Sequence, residues 1–125
     1  MGIARALVVL CVVFASCRPR PGVDPVEQVA LARGLRNFAD TGSFRGPKRE
    51  GRDSIAAELK RRGETPADWY TLAAVLGDSL VVYQMWHRAS LAPRDPGWRG
   101  NPGGRNFDAD YDLRQHRIVA WLLWQ

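Results

Sequence analysis

Asp78 and His87, in the apolar middle of the chain, are the side chains there best suited to chemistry. A carboxylate taken out of water needs an arginine partner or takes up a proton, and in a cleft it would contact a ligand. Otherwise Asp78 marks a solvent-facing strip or pairs with an arginine of a neighbouring helix. An imidazole near neutral pH can act as a base, a metal ligand or a cap on helix carbonyls. The second histidine, His116, lies in a different segment with no ligand spacing to His87, so no metal site is expected. Asp108, Asp110 and Asp112 alternate as at the start of a calcium loop, but Leu113 and Val119 stand where its glycine and glutamate belong. An acid-rich helix start accounts for them. The glycines between Pro93 and Asp108 lack the Gly-x-x-x-x-Gly-Lys-Ser/Thr spacing of a phosphate loop. With no paired carboxylates and no nucleophile beside a histidine, no catalytic residue and no cofactor is expected. Asp78, His87 and the aromatic residues Trp98 and Trp121 are the candidate ligand or partner contacts.

These residues need elements to hold them, and the expected fold is all-α: three or four helices packed round one long central helix, Thr65 to Ala92. Thr65-Pro66-Ala67-Asp68 has the hydroxyl, proline and acid of a helix start. Trp69, Ala73, Leu76, Leu80, Tyr83 and His87 then share a face at about 100° per residue. Val75, Val81, Val82, Met85 and Trp86 fill other sides, so this helix belongs inside a helical bundle. Asp24-Pro25-Val26-Glu27 reads as a capping box that opens a first helix running to about Ala39. Its inward stripe is Leu31, Leu35 and Phe38, with Gly42 as its stop. A second helix over Arg52 to Arg62 turns Ile55, Ala56 and Leu59 inward before Gly63 ends it. The passage from Leu59 to Trp69 resembles helix–Gly–x–Thr–Pro–helix connections in small exported bacterial proteins, which implies a helical hairpin. Pro93 to Asp108 is a loop holding Trp98, and a last helix from about Asp110 to Trp124 carries Trp121. That helix docks on the central helix and closes the core, or offers an apolar patch to a partner or the membrane surface. In the small-ligand reading a cleft between these two helices lies near Asp78, His87 and Trp121.

At 125 residues, 46% hydrophobic and 25% charged, the chain has room for one small domain. Between Arg33 and Arg62 nine basic residues face four acidic ones, while from Gly63 onward six face seven. That concentration is either a solvated face or a surface for an anionic envelope component.

Met1 to Cys17 has the parts of an export signal: Arg5, the apolar run Ala6 to Phe14, and small residues Ala15 and Ser16 before Cys17. The run of about ten apolar residues is too short to span a bilayer. Phe14-Ala15-Ser16-Cys17 resembles the lipobox of bacterial lipoproteins, which implies acylation of Cys17 and cleavage before it; cleavage after Ala15 would instead release a soluble product. The resemblance further implies the outer membrane in a two-membrane host, because Arg18 rather than aspartate follows Cys17. The division is thus a signal peptide (1–16), a proline-containing tether (17–23) and a helical domain (24–125). The expectation is an exported, lipid-anchored envelope protein that acts by binding an envelope protein or component, with no nucleic-acid partner. A secreted small-ligand binder comes second, and an enzyme last.

Overall fold

The computed structural model describes residues 24–92 and 105–124. In order they form α1 (Pro25–Ala32), β1 (Arg36–Asn37), a 3-10 turn (Phe38–Ser43), α2 (Pro47–Arg61), a second 3-10 turn (Pro66–Asp68), β2 (Trp69–Leu76), β3 (Leu80–His87), the single-turn α3 (Arg88–Leu91), β4 (Phe107–Asp112) and β5 (Arg117–Leu123). The strands make one antiparallel sheet in the order β1-β2-β3-β4-β5. The expected all-α fold and helical bundle are therefore wrong. The segment read as a central helix is the β2–β3 hairpin, and the segment read as the last helix is the β4–β5 hairpin.

The physical reason lies in how the sheet is covered. Burial along β3 alternates strictly, with Val81, Tyr83, Met85 and His87 buried and their neighbours half-buried. Partial cover on the second face gives both sets of positions apolar side chains, and that run imitates a helix apolar all round. β-Branched and aromatic residues such as Tyr70, Thr71, Val81, Val82 and Tyr83 suit a pleated surface better than a helix. Gly77, at φ +64°, supplies the left-handed residue for the turn between the two strands.

α2 packs on one face of the sheet. Gly51, Ile55 and Leu59 are four residues apart, so they line one stripe, and all three are buried. Ile55 and Leu59 meet Phe38, Trp69, Val81, Tyr83, Met85, Phe107, Ala109 and Tyr111 in the main core. Burying each of these two aliphatic chains contributes about 1.5–3 kcal/mol. The helix starts at Pro47, five residues before the expected Arg52. A smaller cluster on the opposite face joins Val26 and Ala30 of α1 to Leu35, Tyr70 and Leu91, with Trp86 packed against it.

α1 is shorter than expected, and its inward side differs. It ends at Ala32, and Gly34 at φ +72° turns the chain away, well before Gly42. Leu31 is 71% exposed, while Leu35 and Phe38 are buried beyond the helix. The Asp24 carboxylate caps α1 by accepting from the Val26 N–H at 2.9 Å. Glu27, expected to complete the capping box, instead accepts from the Tyr70 hydroxyl at 2.8 Å and ties α1 to β2. Among the described residues no helix is long and apolar enough to cross a membrane.

Candidate functional site: an aromatic cleft beside the last strand

Where the C-terminal end of α2 approaches the sheet, the side chains leave a cleft of about 230 Å³. Leu59 borders it from the helix, Arg62 from the cap at the helix end, Glu64 from the following loop, and Trp69 from the start of β2. Arg105 and Phe107 come from the entry to β4, and Trp121 and Leu123 from β5. Alternation along the strands places Trp69, Phe107, Trp121 and Leu123 on the same face as α2.

The rings form a continuous wall. Phe107 stacks on Trp121 with centroids 4.0 Å apart and planes inclined by 17°. Trp69 meets Phe107 edge-on at 5.0 Å. The Trp69 ring is almost wholly buried, yet its Nε1–H has no acceptor among the described residues.

The rim is charged. The Arg62 guanidinium lies 4.2 Å from the Trp121 ring centroid and donates from Nε to Glu58 at 2.8 Å. Glu58 also accepts from Arg61, and these two guanidinium groups hold its carboxyl down to about 2. One carboxylate thus serves two arginines beside the cleft. Arg105 donates to Glu64 at 2.9 Å. Arg33, Arg36 and Arg52 also lie over aromatic rings, those of Trp86, Phe44 and Phe38. Much of the basic segment thus forms cation–π contacts in this domain.

The sequence candidates fall in different places. Trp121 is in the cleft wall. His87 is buried behind that wall, edge-on to Trp69, and its Nδ1 accepts from the Ala89 N–H at 3.1 Å. Burial, with the Arg105 charge second, pushes the His87 imidazole below its ordinary range. Asp78 is in the exposed β2–β3 turn, at the far end of the strands from the Trp69–His87 pair, and bonds to Arg114 at 3.3 Å. The expected cleft joining Asp78, His87 and Trp121 therefore does not form. Trp98 and Cys17 lie outside the described residues.

Asp108, Asp110 and Asp112, read as a helix start, are alternate residues of β4 on the face away from α2. Among the described residues no group of three or more acidic, histidine or cysteine side chains could hold a metal ion. Trp69, Arg62, Glu64 and Arg105 are not among the sequence candidates, and Phe107 stands there only as an aromatic of the Pro93–Asp108 loop that could pin it or meet a partner. The period-two pattern Phe107-Asp108-Ala109-Asp110-Tyr111-Asp112 was the available signal for Phe107. The charged pairs meet only through the fold.

Aromatic walls and a cationic rim suit recognition of a ligand with an apolar body and an anionic group. The chain matches no protein-family model, and comparisons with curated proteins and with solved structures find no match.

Proposed function

We propose that this chain is a small exported envelope protein, anchored by a lipid on Cys17, which works by binding a partner at the cleft between α2 and β5. The observation that carries the binding reading is the aromatic wall of Trp69, Phe107 and Trp121 with the Arg62 guanidinium over the Trp121 ring. Export and anchoring are supported by Arg5, the apolar run Ala6 to Phe14 and the lipobox-like Phe14-Ala15-Ser16-Cys17. Two or more acyl chains would hold the protein on a bilayer essentially permanently, since each buried CH₂ contributes about 0.8 kcal/mol.

The binding reading is tested by a thermal-shift screen of short peptides and small aromatic carboxylates against the natural chain and Trp121→Ala. A ligand at about 100 times its Kd should raise Tm by several degrees. At least one such shift should be lost in Trp121→Ala. The reading falls if no shift depends on Trp121. Fatty-acid labelling that is present in the natural chain and missing in Cys17→Ala supports the anchor, and equal labelling removes it.

A further inference from the structure

Resting on that reading, we infer that the occupant of the cleft is an extended acidic segment of a partner protein, added to β5 as a sixth strand. β5 ends the sheet, and no described strand pairs with its outer side. The Trp124 N–H donates to the Asn106 carbonyl at 2.9 Å, and the register continues through Asp108 opposite Leu122. In an antiparallel ladder the residues between such pairs point their N–H and C=O groups the other way. The backbone groups of Trp121 and Leu123 therefore face the open edge.

The same two residues send their side chains to the cleft. A strand laid along β5, about 4.7–4.9 Å away, would present alternate side chains on the face where the cleft lies. Natural edge strands are usually guarded by charge, proline or cover. Here Arg117 opens β5, but Val119, Leu122 and Leu123 are 42%, 57% and 65% exposed.

Charge selects the partner's chemistry. Arg61 and Arg62 share the single carboxylate of Glu58, and Lys60 precedes them. This positive excess favours glutamate or aspartate next to the apolar residue that enters the cleft.

The test selects binders from a displayed random library of peptides of about seven residues, using the full chain in detergent as bait. Enriched peptides should alternate apolar with acidic residues. Methylation of the amide nitrogens that pair with β5 should weaken binding roughly tenfold or more, whereas methylation of the intervening ones should not. Leu123→Pro, which removes an outward N–H without breaking a bond to β4, should weaken binding similarly. The methylated peptides keep the test decisive if that variant does not fold.

Selected ligands that need Trp121 but tolerate backbone methylation and Leu123→Pro would overturn strand addition while leaving the cleft as the binding site. Ligands indifferent to Trp121→Ala would overturn the cleft reading itself. Enrichment of basic peptides, or self-association abolished by Leu123→Pro, would overturn the acidic partner.

Discussion

Trp69 and His87 are directly opposed on β2 and β3, and their rings meet edge to face with centroids 5.0 Å apart and planes 81° apart. This contact fixes the back of the aromatic cleft and keeps the imidazole out of water. It also favours the neutral imidazole, because Nδ1 must keep its lone pair to accept from the Ala89 N–H.

His87 should therefore make stability fall as the solution is acidified. Burial, followed by the Arg105 charge, sets its native pKa below the ordinary value of 6.5. The unfolded chain binds the proton first, so this contribution is complete above pH 6.5 and is lost as pH falls through the lower native value. In thermal melts at stepped pH, His87→Asn, which keeps an acceptor at the start of α3, should flatten the slope below pH 6.5. An unchanged slope would mean that another group is responsible.

Gly51 occupies a place in α2 where a methyl group does not fit. A Cβ there would sit 2.7 Å from Tyr83 Cε2 and 2.9 Å from Cζ. Alanine in a helix gains about 0.5–1 kcal/mol over glycine, but overpacking a core costs about 1–3 kcal/mol. Gly51→Ala should thus lower the unfolding free energy in urea by about 1–2 kcal/mol. A stabilised variant would contradict the close packing of α2 on Tyr83.

Asn106, just before β4, is a buried polar bridge to the end of β3 and to α3. Its Oδ1 accepts from the His87 N–H at 2.8 Å, and its Nδ2 donates to the Ser90 hydroxyl at 3.1 Å. Asn106→Leu leaves a buried N–H without its acceptor and should cost about 1–3 kcal/mol. Hydrogen exchange at the His87 amide should speed up in the same variant, and unaltered protection there would refute the bridge.

Asp110 should oppose folding at neutral pH. Burial, followed by repulsion from Asp108, raises its carboxyl above the ordinary 3.8. The native state therefore binds this proton more readily, and stability declines as pH rises from 3.8 through the raised native value. Asp110→Asn should stabilise the protein at pH 7 by about 0.2–1 kcal/mol and lose that advantage in acid. Equal gains at both pH values would exclude an ionisation effect.

The parts of this fold legible in the sequence are those governed by local chemistry. Asp24 before Pro25 marks the start of α1, and Ile55 and Leu59 mark the buried side of α2. The sheet was hidden because Trp69, Ala73, Leu76, Leu80, Tyr83 and His87 fit a helical spacing while also belonging to two strands. Gly77-Asp78-Ser79 is the turn between them, whereas the helical reading sets Asp78 in mid-helix, on a solvent-facing strip or beside an arginine of a neighbouring helix. Trp121 was legible as a large ring in an apolar segment needing cover. Arg62 and Arg105 were not, because α2 and the start of β4 meet only after the chain has folded.

The small cluster under α1 has a mechanical consequence. α1 buries only Val26 and Ala30, and it is tied down by Asp24 to Arg88 at 3.0 Å and by Glu27 to Tyr70 at 2.8 Å. A load entering the domain at Asp24 is borne by these two ties first. Once they yield, α1 can peel off like a tab while α2 and the main core on the other side of the sheet stay clamped. Under the proposed anchoring, α1 would be the first part of the domain to give under load, and the cleft, on the opposite face, would be spared.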